Sequence, residues 1–291
     1  MKNQEYRNGH FTGERALFRL DDSLVENSLF DEGESPLKEG RNLTVRNVTF
    51  GYKYPLWYGK GHTVKNCIFH VMSRSGIWYT DDSSFENCDI EAPKEFRRCK
   101  NISLKNINFH DAQETLWTCQ GVKLENVKAK GDYFGMNSTD VEAENFDLLG
   151  NYPFDGGKNI HVKNSRLISK DAFWNCENVT LENCVIEGEY FGWNSKNITL
   201  INCTITSHQG FCYMKGLKLV NCKILPTSDL IFEYCENVSI DVPTSDLETV
   251  KNPISGEIHA HSIKEMIRDD ERIDRSKIHI FVKEGKNEHE I

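Results

Sequence analysis

The sequence predicts an all-β fold: a single-stranded parallel β-helix of about 12 rungs, finished by a C-terminal cap. Three observations predict it. Asn27, Asn47, Asn66, Asn87, Asn106, Asn126, Asn145, Asn164, Asn183, Asn202 and Asn221 recur every 19–21 residues. Five places before each lies a second column made only of Asp, Asn or Gly, from Asp22, Asn42 and Gly61 through Asn197 and Gly216, and Asn237 continues it one coil further. Apolar residues alternate on either side of each ladder asparagine, as Leu181, Cys184 and Ile186 do around Asn183. Two turn columns locked to one period are the mark of a solenoid whose rungs contact only their neighbours.

Residues 1–13 read as a lead-in, 14–243 as the β-helix and 244–291 as a capping segment. Within a rung, alternation that stays in phase across the asparagine means two short strands whose inward sides continue around a bend. Asparagine suits that bend because its short amide tolerates left-handed backbone and can bond to its equivalents above and below. Ten places before each asparagine an apolar column (Leu37, Leu56, Ile77, Phe96, Leu116) predicts a third inward-facing strand. After Ile240 the repeat fades. Glu257–Ile263 and Lys277–Val282 read as strands, with a helical stretch over 264–274 between them. Solenoids need covered ends, so this segment is expected to cap the rod.

Charged residues make up 27% and the formal net charge is −9, which argues for solubility and against non-specific nucleic-acid binding. No apolar run is long enough for a membrane helix, and the start lacks an apolar signal core. A cytoplasmic protein with no membrane partner is expected. Of the ten cysteines, Cys67, Cys88, Cys184, Cys203 and Cys222 each follow a ladder asparagine. Cys99, Cys119, Cys176 and Cys235 share another repeat position. They read as buried core residues, with Cys212 alone out of column. Cys-x-x-Cys is absent, and His259-x-His261 lacks an obvious further ligand, so no metal or cofactor is expected.

Nine places before the ladder asparagine lie Lys38, Trp57, Trp78, Arg97, Trp117, Asp155, Trp174 and Trp193, and this column holds all five tryptophans. If the neighbouring apolar column faces inward on a strand, these residues face outward. Small residues two places earlier and polar residues two earlier again would complete a groove. Indole and polar groups in one concavity suit a sugar ligand. Two other settings fit the same column: a face covered by the tail or another protomer, and the core. On this reading Trp57, Trp78, Trp117, Trp174, Trp193 and Lys38 contact the ligand. Glu95 and Arg97, two apart on the same predicted face, with Asp132 and Asp155, are the catalytic candidates. A glycosidase needs paired carboxyls at about 5–9.5 Å, and a four-residue offset along a strand exceeds that.

Phe11-Thr-Gly-Glu-Arg15, Glu34-Ser-Pro-Leu-Lys-Glu39, Tyr54-Pro-Leu-Trp57, Glu114-Thr-Leu-Trp117, Lys170-Asp-Ala-Phe-Trp174 and Val250-Lys-Asn-Pro-Ile-Ser-Gly256 carry a further signal. Through them the chain resembles, over nearly its whole length, a bacterial domain family of unknown function within the pectin-lyase-like superfamily. That resemblance implies a right-handed β-helix and an association with polysaccharide chemistry. The superfamily's lyases share acidic calcium clusters beside a basic residue, and no such Asp-rich cluster occurs here. The expectation is an oligosaccharide or uronate bound, or processed by a hydrolase or lyase reaction, in the tryptophan groove. The alternative is a non-catalytic structural protein that oligomerises through its tryptophan face.

Overall fold

The computed structural model describes residues 1–226, 229–284 and 287–291. It divides into two compact units, Met1–Gly150 and Asn151–Ile291. Both are parallel β-solenoids, with about 15 turns between them and no α-helix among the described residues.

Unit one opens with β1 (Glu5–Arg7), β2 (His10–Phe11) and β3 (Leu24–Phe30). Both β1 and β2 pair in parallel with β3, so pairing begins inside the segment expected as a lead-in. Each coil then lies in register on the next. Val25, Val45, Val64, Phe85, Leu104, Leu124 and Ala143 form one inward column. Phe11, Phe30, Phe50 and Phe69 stack in another, with ring centroids 4.9, 5.3 and 4.8 Å apart. That spacing follows the inter-strand repeat of a β-sheet, so each coil supplies one ring per layer.

Unit two repeats the arrangement. Val162, Leu181, Leu200, Leu219, Ile240, Ile258 and Ile280 align through successive parallel pairs. The coil register therefore runs on through Gly256–Ile267 and Ile278–Glu284, within the expected capping segment. Among the described residues only Asn287–Glu290 turns back antiparallel; Gly285 and Lys286 of that segment lie outside them. The helix expected over 264–274 is absent. Lys264–Ile267 end a strand, and the nearest helical turn is the short 3-10 segment Arg275–Lys277. Stacking on a preformed edge overrides the local helical composition.

Both turn columns take left-handed backbone: Asn27, Asn47 and Asn106 at φ 50, 52 and 53°, Asp22, Asn42 and Gly61 at 44, 49 and 73°. The ladder amides bond coil to coil. Asn106 donates to Asn87 at 2.8 Å and accepts from Asn126 at 3.0 Å, and in unit two Asn221 donates to Asn202 at 2.8 Å. Asn106→Ala is expected to cost about 1–3 kcal/mol, from two lost hydrogen bonds and the left-handed penalty. Asn106→Gly should cost less by about 1 kcal/mol, since glycine keeps the conformation freely. Equal urea midpoints for the two variants would show that the backbone term is absent.

Among the described residues the third strand does not form in unit one, and in unit two it is reduced to short pieces, Gln209–Gly210 on Leu230–Ile231 and Ile231 on Val250. On that side the chain alternates left-handed residues: Ser35, Leu37 and Glu39 at φ 62, 57 and 58°, then Tyr54, Leu56 and Tyr58 at 62, 59 and 57°. Its amides point alternately up and down the stack. Ser35 N–H donates to Lys53 O of the next coil at 2.9 Å and Leu37 N–H to Ala16 O of the preceding one at 2.9 Å. This backbone breaks the rule that adjacent residues face opposite ways. Pro36 and Leu37, Pro55 and Leu56, and Glu95 and Phe96 are all buried as consecutive pairs.

All ten cysteines are free thiols buried in the core, Cys212 included. Burial pushes the Cys212 thiol up to about 12. No helix among the described residues is long and apolar enough to cross a membrane.

Candidate binding face

The irregular side places the tryptophan column at the surface, half-buried. In unit one it forms a continuous stack. Lys38 Nζ lies 5.9 Å from the Trp57 ring, and Trp57 stacks on Trp78 at 5.3 Å and 11°. The Arg97 guanidinium is sandwiched between Trp78 at 4.7 Å and Trp117 at 4.3 Å. Beside it runs a second column, where Tyr58 and Tyr79 stack at 4.8 Å and 1° and Arg98 lies 5.9 Å from the Tyr79 ring. Lys38 reaches the Tyr58 ring too, at 5.5 Å, and so ties the two columns together.

Each indole N–H is satisfied within the protein. Trp78 donates to Lys94 O at 2.8 Å and Trp117 to Tyr133 O at 2.7 Å, each on the following coil. The rings therefore turn their faces toward one another along the stack and offer their edges outward. A sugar stacks on a free ring face, and here the faces are occupied by neighbouring rings and cations.

Unit two carries a shorter version. Trp174 stacks on Trp193 at 5.5 Å and 10°, and Tyr152, Tyr190 and Tyr213 meet them edge-on. Trp174 donates to Tyr190 O at 2.8 Å and Trp193 to Gln209 O at 2.7 Å.

The structure thus brings Lys38, Trp57, Trp78, Arg97 and Trp117 together, and Trp174 with Trp193. It does not bring Glu95 and Arg97 onto one face. Glu95 is wholly buried, because the alternating backbone turns its position into the core. Its Oε1 accepts from Gly76 N–H at 3.1 Å and its Oε2 has no partner. Desolvation pushes its pKa well above the usual carboxylate range, which favours the neutral form. Arg97 instead meets Glu114, which also takes Lys94 at 3.1 Å. Asp132 is half-buried in unit one, and Asp155, in unit two, accepts from Asn175 at 2.9 Å. His259 faces Glu288 at 2.9 Å and His261 faces Asp246 at 2.7 Å. Among the described residues no group of three or more His, Cys, Asp or Glu side chains is placed to hold a metal ion.

The tyrosines were legible but unread. Tyr58, Tyr79, Tyr213 and Tyr234 recur immediately after the tryptophan column, and Tyr54, Tyr133, Tyr152 and Tyr190 three places before it. Their period alone marks an aromatic surface several residues wide.

Residues 4–281 match the family described as "Protein of unknown function (DUF3737)". The chain belongs to that family. The DUF3737 description carries no activity, and no curated protein sequence matches the chain. Three solved structures are similar at low identity. The tailspike protein of E. coli bacteriophage HK620 is 9% identical over 91% of this chain and 62% of its own, less than two thirds of its length, with a TM-score of 0.36. PfbA, a surface adhesin of Streptococcus pneumoniae, is 8% identical over 97% of this chain and 73% of its own, TM-score 0.30. A trypsin-treated form of QnrB1, a plasmid-mediated fluoroquinolone resistance protein, is 12% identical over 77% of this chain and 90% of its own, TM-score 0.27.

Proposed function

We propose that this DUF3737 protein binds an acidic oligosaccharide, without turnover, on the aromatic and cationic face of unit one. The observation that carries the reading is the state of Lys38 and Arg98. Both lie beside stacked rings, and among the described residues neither has a carboxylate within 4.0 Å. In a chain of net charge −9 most neighbouring cations are paired. Two cations without an ion pair, lying over ring faces beside tyrosine hydroxyls, suit the carboxylates and hydroxyls of a uronate polymer. The absence of turnover is supported by Glu95, which is wholly buried, and by Arg97, whose charge is met by Glu114. The sequence resemblance to the pectin-lyase-like superfamily agrees with a polysaccharide ligand, while fold alone does not fix function.

The test is a titration of tryptophan fluorescence with oligouronates and with neutral gluco-oligosaccharides. Oligouronates should give a saturable change that weakens with added salt, with no cleavage product on incubation. Neutral sugars should give no change, because no ring face is free. Lys38→Ala or Arg98→Ala should weaken binding roughly tenfold each, the worth of one charge-assisted hydrogen bond. A flat response to oligouronates overturns the reading.

A second reading rests on the ring packing itself. Trp, Tyr and Arg in one patch are the residue types that dominate protein interfaces, and edge-on rings serve a protein partner as well as they serve a sugar badly. It predicts silence toward every glycan and an interface that includes Tyr58, which is 43% exposed.

A further inference from the structure

We propose that the open edge of β1 docks a second copy of this chain by two-fold, antiparallel strand pairing centred on Tyr6.

β1 pairs on one side only, with β3, among the described residues. The bonds on that side fix which amides remain. Leu24 N–H donates to Gln4 O at 2.9 Å and Asn8 N–H donates to Glu26 O at 3.0 Å. In a parallel ladder alternate residues of one strand bond to the same neighbour. Gln4, Tyr6 and Asn8 therefore serve β3, and the N–H and C=O groups of Glu5 and Arg7 point away from the coil. An exposed edge of this kind is a template for another strand.

The side chains say which strand fits. Tyr6 is half-buried, 5.9 Å from the Phe11 ring, whereas Glu5 and Arg7 are exposed. Place a second copy antiparallel with Tyr6 opposite the partner's Tyr6. Glu5 then lies opposite the partner's Arg7, and Arg7 opposite the partner's Glu5. Both pairs fall at hydrogen-bonding sites, so the four outward amide groups of each strand are satisfied at once. The opposed side chains share a face, acid against base in both pairs. Tyr6 meets the partner's Tyr6 at the intervening site, on the inner face. An isologous contact requires this self-complementarity. Edges guarded against pairing usually carry like charges, lysine above all. Here the two charges flanking Tyr6 are opposite in sign, an order that invites its own reverse. Glu5 now shares Arg7 at 3.1 Å within one strand, and Arg7 also meets Glu26. Pairing exchanges the first of these contacts for one across the two-fold axis and leaves the second in place.

A three-residue edge makes a weak contact, so the full chain should show a concentration-dependent monomer–dimer equilibrium by sedimentation. Glu5→Pro deletes an outward amide and spares every bond to β3; it should be folded and monomeric. Glu5→Arg sets like charges opposite each other twice and should raise the dissociation constant about tenfold. Arg7→Glu should do the same. An equimolar mixture of Glu5→Arg and Arg7→Glu chains should regain dimer, now as the heterodimer, because one edge is then wholly basic and the other wholly acidic. Either of two results overturns the proposal: parent chain that stays monomeric at every concentration, or dimer that survives in Glu5→Pro. The second would move the contact to another surface, and addition of excess oligouronate would show whether that surface is the aromatic face.

Discussion

Glu95→Leu is expected to unfold at a higher urea concentration than the parent at neutral pH, a gain of about 1–3 kcal/mol. The parent holds a fully buried carboxyl with one bond, from Gly76 N–H at 3.1 Å, and an orphaned Oε2. Desolvation raises its folded pKa well above the usual carboxylate range. The sign follows from proton linkage. The folded state binds the proton more tightly than the unfolded chain, so the contribution is most favourable below the unfolded value of 4.5 and is lost as pH rises through the folded value. The parent should therefore lose stability on leaving acid more steeply than Glu95→Leu. Urea midpoints across that range, with an unchanged slope, measure the difference. Parallel curves for the two proteins would place the carboxylate in contact with solvent.

The neighbouring coil provides a check on the same site. A Cβ added at Gly76 would lie 2.5 Å from Glu95 Oε2, so the glycine makes room for the carboxyl. Removing the carboxyl relieves that contact and leaves the Pro55 ring, at 2.9 Å, as the remaining obstacle. The costs of Gly76→Ala and Glu95→Ala should thus fail to add, as expected for side chains that share one space.

Glu95 also shows where sequence and structure part. The two turn columns were readable because left-handed backbone selects Asn, Asp and Gly, and those residues recur there as far as Asn221 and Asn237. The inward columns were readable because strands alternate. The third side writes no such signature. Leu37, Ile77 and Phe96 hold left-handed backbone at φ 57, 57 and 58° without the residues that normally announce it. The period-two rule applied there turned Glu95 outward beside Arg97, whereas its side chain is wholly buried. The far coils were legible as strands but not as coils, for another reason. The asparagine ladder ends at Asn221, but parallel pairing needs only backbone amides and an apolar inward residue, and Ile258 and Ile280 supply that without the asparagine. Ring orientation was beyond the sequence as well: a periodic tryptophan marks a surface, and only the 5.3 Å stack of Trp57 on Trp78 shows that its faces are spent.

His62→Ser is expected to flatten the acid side of the stability profile. His62 is 1% exposed and packed against two glycines: a Cβ at Gly59 would lie 2.2 Å from its Nε2, and one at Gly40 3.3 Å from its Cε1. Its Nδ1 accepts from Leu43 N–H at 3.3 Å and its Nε2 has no partner. Burial, helped by the Arg41 charge, lowers its pKa from 6.5 to about 4. Here the unfolded chain binds the proton more tightly. Stability is complete above 6.5 and falls as pH drops toward 4, by about 3 kcal/mol in all at 1.36 kcal/mol per pH unit. The same column shows the remedy. Ser23 Oγ accepts from Gln4 N–H at 2.9 Å and Ser83 Oγ from His62 N–H at 3.0 Å, the role His62 plays toward Leu43. Serine at position 62 keeps the acceptor and cannot charge, though it leaves space that costs stability at neutral pH. The variant should therefore start below the parent at neutral pH and hold its midpoint as the parent declines, so that the two curves converge between 6.5 and 4. A parent curve no steeper than the variant's would mean that the imidazole protonates without unfolding the coil, and that water reaches Nε2.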